Sequence, residues 1–109
     1  MAVFNKAEVL EELGDDVEFL KELSELFIDG LPEQMDDIKK AISINDNVLL
    51  NKAAHKLKGG AGNFGKNAVY ETAFRLETIG KEGNMDEAME VYSVLEKEVE
   101  QLVNELNAI

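Results

Sequence analysis

The sequence predicts an all-α protein, an antiparallel up-down four-helix bundle with a short additional helix at the amino terminus. Three observations carry this expectation. Apolar residues recur at three- and four-residue steps along most of the chain, no segment sustains the period-two alternation of a half-buried strand, and the connections between periodic segments are short. Short connections favour antiparallel neighbours. With 109 residues and no internal repeat or linker, residues 1–109 read as one domain with a core of its own.

The elements follow in order. Asn5 and Glu8 have capping-box spacing, and Ala7, Leu10 and Leu13 make a short apolar stripe before Gly14, which gives a first helix of about two turns. Asp15 or Asp16 then caps a long segment whose stripe is Leu20, Leu23, Phe27, Leu31, Met35, Ile38 and Ile42. Gly30-Leu31-Pro32 interrupts it, because proline lacks a backbone donor and crowds the preceding turn. The stripe keeps phase across Pro32, so one kinked helix is expected there rather than two. A turn at Ile44-Asn45-Asp46-Asn47 supplies the N-cap of a helix from about Asn47 to Asn63, and Gly65-Lys66-Asn67 reverses the chain. The next helix, from about Ala68 to Lys81, buries Val69, Ala73 and Leu76 and ends near Gly80 to Gly83. Asn84 and Glu87 repeat the capping-box spacing. The last helix then aligns Met85, Ala88, Tyr92, Leu95, Val99, Leu102, Leu106 and Ile109.

Composition excludes several function classes. A net charge of −12 argues against nucleic acid or an anionic membrane as partner, since both are bound through basic patches. With no cysteine there is neither a disulfide nor a thiolate metal site. The amino terminus lacks the basic and apolar regions of a signal peptide, and no apolar run approaches the roughly 18 residues of a membrane span, so a soluble, cytoplasmic protein is expected. The charge is unevenly placed. Between Asn47 and Tyr70 there is no Asp or Glu, while Lys52, Lys56, Lys58 and Lys66 make the stretch +4 and leave −16 for the remainder. Exposed charges act over roughly 8 Å at physiological salt, so this excess is felt locally.

That basic stretch holds the single histidine, His55. On a helix turning about 100° per residue, Leu50, Ala53, Ala54, Leu57, Ala61 and Phe64 share one face and His55 lies roughly opposite Leu57. The ring therefore points to water. Asn51, Lys52, Lys58, Gly59 and Gly62 fall around it on the same surface. Glycine inside a helix costs about 1 kcal/mol relative to alanine, and Gly59, one turn after the histidine, suggests a need for close approach by another molecule.

The run His55-x-Leu57-Lys58-Gly59-x-Ala61-x-x-Phe64-Gly65 resembles the signature of the histidine phosphotransfer (HPt) domain of multistep two-component signalling, His-x-Leu-Lys-Gly-x-(Ala/Ser)-x-x-(aliphatic or Phe)-Gly. Downstream, Val69, Ala73 and Leu76-Glu77 are similar to the helix that follows in that family, and the long helix before the histidine has its counterpart too. Gly60 and Gly62 are additional glycines. The resemblance implies that His55 accepts a phosphoryl group, carried on the far nitrogen of the ring, from an aspartate in the receiver domain of a hybrid histidine kinase. It would pass the group to an aspartate in the receiver domain of a response regulator. Lys58 would steady the charge of the transferring group, with possible help from Lys52, and Gly59 would leave room for the partner. Magnesium would belong to the receiver, and the chain would need no cofactor or metal of its own. The chain carries no P-loop and no kinase signature, so it reads as a monomeric phosphotransfer carrier without autokinase activity.

Other readings stand beside this one. A helical adaptor would keep the fold and dock on receivers without being phosphorylated. An enzyme using His55 as general base lacks a convergent acid or metal ligand in the sequence. Gly60-x-Gly62-x-x-Gly65 matches a dinucleotide fingerprint formally, but it ends a helix, whereas that fingerprint follows a strand and opens one. Ser24, Ser43 and Ser93 have neither a nucleophile elbow nor a second histidine.

Overall fold

Four helices each begin on an asparagine or aspartate whose side-chain oxygen accepts the backbone N–H three residues on. Asn5 serves Glu8, Asp16 serves Phe19, Asp46 serves Leu49 and Asn67 serves Tyr70, at 3.0–3.1 Å. Each cap satisfies a donor that the first turn would otherwise leave unpaired. The computed structural model describes residues 4–109, and among them every regular element is helical: α1 (Lys6–Glu12), α2 (Val17–Ser43), α3 (Asn47–Ala61), a 3-10 turn (Gly62–Phe64), α4 (Ala68–Glu82) and α5 (Ala88–Asn107).

Pro32 lies inside α2, which runs unbroken for 27 residues. At 1.5 Å per residue that is about 40 Å, close to the longest dimension of the molecule, 42 Å. The turns between helices use backbone that favours glycine or asparagine: Gly14 and Asp15 lead into α2 at φ 71° and 61°, Asn45 precedes the cap of α3 at φ 56°, and Gly83 closes α4 at φ 89°.

The long helices form a closed ring of neighbours. α3 packs most extensively on α4, α2 on α3, α4 on α5, and α5 returns to α2. The core inside this ring is built from Leu20 and Ile38 of α2, Leu50 and Leu57 of α3, Leu76 of α4 and Leu95 of α5, all fully buried. α1 instead meets the 3-10 turn at one end of the ring, where the Phe64 ring packs against Phe27 and Phe4 at centroid distances of 5.3 and 6.2 Å.

Two expectations need correction. Ala7 is exposed and Val9 is the buried residue of α1, because this short helix docks on the turn at Phe64 rather than lengthwise along the bundle. Asn84 does not cap α5. Its side chain accepts the N–H of Asp86 instead, 3.1 Å away, in the local turn that asparagine commonly makes two residues on. α5 consequently starts at Ala88, with no side-chain cap at Glu87.

Asn67 does more than cap. It is 2% exposed, and its amide donates to the carbonyls of Ala61 and Gly65 while its oxygen holds the start of α4. One side chain thus joins the end of α3 to the start of α4. Asn67→Ala removes a cap and leaves a buried carbonyl unpaired, and is expected to cost about 2 kcal/mol, read as a lower midpoint in urea with an unchanged slope.

Candidate functional site

Leu50, Ala54, Leu57 and Ala61 of α3 are buried and Ala53 is half-buried, which turns the opposite surface of the helix outward. His55 stands there with its side chain 69% exposed. The ring is therefore not a core histidine.

α4 approaches this helix closely because Gly80 has no side chain. A Cβ there would lie 2.6 Å from the backbone nitrogen of Asn51 and 2.7 Å from the carbonyl oxygen of Asn47. These two asparagines sit one turn apart on α3 and both reach across. Asn47 Nδ2 donates to the Gly80 carbonyl at 2.9 Å, and Asn51 Nδ2 donates to the Glu77 carbonyl at 2.8 Å. The Gly80 carbonyl is among the last four of its helix and would otherwise want a partner.

This contact delivers a carboxylate to the histidine. Glu77 Oε2 contacts His55 Nδ1, and Glu77 Oε1 accepts from Lys58 Nζ at 2.7 Å. The Glu77 side chain is only 14% exposed. Burial on its own raises a carboxyl, but the hydrogen bonds from Lys58 and His55 and their positive charge outweigh it here and hold Glu77 below the usual range. Glu77 is thus ionised at neutral pH and can only accept hydrogen bonds. In the neutral ring Nδ1 then carries the single proton, which leaves Nε2 with its lone pair.

Lys58 is tied down on the same side. Its side chain is 19% exposed, its ammonium is bonded to Glu77, and it lies 4.7 Å from the centre of the Phe74 ring. Lys52 is exposed on α3, three residues before the histidine, and makes no ion pair among the described residues. Gly59 is exposed, and a Cβ there would meet nothing within 4 Å. Nothing in this chain requires a glycine at that position. The structure therefore gathers His55 and Lys58 around one carboxylate, with Lys52 and Gly59 on the open surface beside them.

Glu77 is the residue that the sequence argument passed over. The segment from Asn47 to Tyr70 lacks acids, but the site does not, because α4 brings Glu77 in from outside that segment. The available signal was its place after Leu76: a buried leucine fixes which way the helix faces, and the next residue then lies at the edge of the α3 contact. Among the described residues no group of three or more His, Cys, Asp or Glu side chains could hold a metal ion, and no helix is long and apolar enough to cross a membrane.

Residues 22–105 match the Hpt domain family. The crystal structure of histidine-containing phosphotransfer protein B (HptB) from Pseudomonas aeruginosa PAO1 aligns with a TM-score of 0.87 at 22% identity, covering 99% of this chain and 95% of that one. At this identity the likeness concerns the fold. No curated protein sequence matches the chain.

Proposed function

Because the chain belongs to the Hpt domain family, we propose that it is a phosphorelay intermediate that takes a phosphoryl group on His55 from a receiver-domain aspartate and passes it to another. The observation that carries this reading is an exposed imidazole whose Nδ1 is occupied by an ionised carboxylate, so that Nε2 faces outward as the nucleophile.

The Nε2 lone pair attacks the phosphorus of an aspartyl phosphate, the phosphorus–oxygen bond to the aspartate breaks, and the aspartate leaves as carboxylate. No proton has to move, since the ring becomes a cation whose Nδ1–H points at Glu77. Phosphoryl transfer spreads negative charge over the equatorial oxygens, and positioned cations lower its barrier. Lys58 and Lys52, three residues after and before His55, are the cations on the same surface of α3 as the ring. Magnesium is expected on the receiver, and this chain acts as a monomeric carrier without autokinase activity. The ring of helices is read as an up-down antiparallel bundle, since every connection between neighbours is short.

Gly59 is where the partner comes close. Gly59→Leu is expected to stabilise the protein by up to about 1 kcal/mol, as helix propensity requires at an open position, while slowing transfer by at least about tenfold. Normal transfer by the folded variant would remove the close-approach role.

The relay is tested with two receiver domains. One is labelled with phosphate on its aspartate and separated, then mixed with this protein, magnesium and the second receiver. Label reaching the second receiver only when this protein is present supports the relay. Binding without label on this protein, across several receivers, would favour a helical adaptor instead.

A further inference from the structure

Phe74 is an aromatic residue that the core does not use. The core takes Val69, Ala73 and Leu76 from α4, whereas Phe74 lies outside that cluster and is 50% exposed. A single exposed phenyl ring needs no explanation by itself. This one is set apart by its neighbour, because the Lys58 ammonium stands over the ring, 4.7 Å from its centre. Arg75, the next residue along, is instead turned to Glu87 at 3.4 Å.

The arrangement follows from helical spacing. Phe74 and Glu77 are three residues apart, so α4 presents them as neighbours on one face. Lys58 reaches across from α3 and sets its ammonium against both, the carboxylate at 2.7 Å and the face of the phenyl ring. The ring face is the negative side of its quadrupole and attracts a cation, more strongly where water is partly excluded. A lysine that is free in solvent must give up many rotamers when it settles on a phosphoryl group, and that ordering opposes transfer. Lys58 has already given them up, with its side chain 19% exposed. Its ammonium has three N–H donors, and among the described residues it makes one hydrogen bond, to Glu77. A donor therefore remains for a phosphoryl oxygen without either contact being broken.

Resting on the phosphoacceptor reading of His55, we propose that Phe74 is a positioning residue for phosphoryl transfer, whose ring holds the Lys58 ammonium beside His55 before the phosphoryl group arrives. A cation already in place lowers the barrier more than one that must first be ordered. The role depends on aromatic character rather than bulk. Leucine at this position is apolar but has no quadrupole, while tyrosine keeps the ring face.

The test uses the full chain with Phe74→Leu and Phe74→Tyr, each made with and without Lys58→Met. The donor is potassium phosphoramidate, which phosphorylates histidine without a receiver. The Nε2 lone pair attacks its phosphorus, the phosphorus–nitrogen bond breaks, and ammonia leaves with the hydrogens its nitrogen already bears in the zwitterionic donor. We expect Phe74→Leu to slow labelling of His55 about fivefold, the factor that a partly desolvated cation–π contact supplies, with circular dichroism and thermal melting near wild type. Phe74→Tyr should restore the rate. In the Lys58→Met background Phe74→Leu should change nothing further, because the group that Phe74 positions is gone.

A rate unchanged by Phe74→Leu would overturn the proposal, and so would a loss of equal size in the Lys58→Met background, which would assign the effect to packing. Slowing with a phosphorylated receiver but not with phosphoramidate would make Phe74 a docking residue and would also overturn it. If the leucine variant does not fold, NMR of wild type decides. The ε-methylene protons of Lys58 should be shifted upfield by the ring current both before and after phosphorylation, and unshifted protons in either state would contradict the proposal. Absence of label on wild-type His55 would overturn the phosphoacceptor reading itself, and this proposal with it.

Discussion

His55→Gln abolishes phosphoryl acceptance and leaves the fold intact. Glutamine matches part of the imidazole's shape, and its amide can still donate to Glu77, so the contact between α3 and α4 loses little. The side chain is 69% exposed, and substitutions at exposed positions without special features change stability by no more than about 0.5 kcal/mol. An amide nitrogen has no free lone pair to attack phosphorus. The expected result is a variant with wild-type circular dichroism and melting temperature, undiminished receiver binding, and no acid-labile label. A cooperative loss of folding would show that the ring is structural.

Gly80→Ala is expected to have the largest effect on stability. At most helical positions alanine is favoured over glycine by about 1 kcal/mol. Here the new methyl group would sit 2.6–2.9 Å from three backbone atoms of α3, and backbone cannot swing aside as a side-chain tip can. The two helices must separate. That strains the bonds from Asn47 and Asn51 to the α4 carbonyls and opens the core at Leu50 and Leu76. Overpacking of this kind commonly costs 1–3 kcal/mol, and the lost hydrogen bonds add to it, so a net cost of about 3 kcal/mol is expected. For a domain of this size that lowers the melting temperature on the order of 10 °C. The same separation draws Glu77 away from His55. Thermal unfolding measures the first effect, and the Nδ1 shift in 15N NMR measures the second. A protein as stable as wild type would mean that the helices are not held as closely as Gly80 indicates.

The sequence made some parts of this molecule legible and hid others for physical reasons. Helix starts at Asn5, Asp16 and the turn before Asn47 were readable because a cap is a local arrangement, complete within four residues. The face of α3 was readable because burial of Leu50, Ala54, Leu57 and Ala61 leaves one orientation for His55. Asn84 misled because an asparagine before a helix can cap it or close a turn of its own, and the sequence pattern is the same for both. Glu77 was missed as a partner of the ring because the contact depends on how near α4 lies to α3. That distance is set by Gly80, three residues further along α4, where the sequence shows only a glycine near a helix end. Helical spacing puts Lys58 on the His55 side of α3, but its bond to Glu77 and its position over Phe74 belong to the packing of α3 on α4.

The most direct test of the central claim is to phosphorylate the 15N-labelled protein from a receiver domain and find which atom carries the phosphorus. The account predicts phosphorus–nitrogen coupling at Nε2 of His55, with Nδ1 still protonated toward Glu77. Coupling at Nδ1, or a phosphoryl group on any residue other than His55, would contradict it.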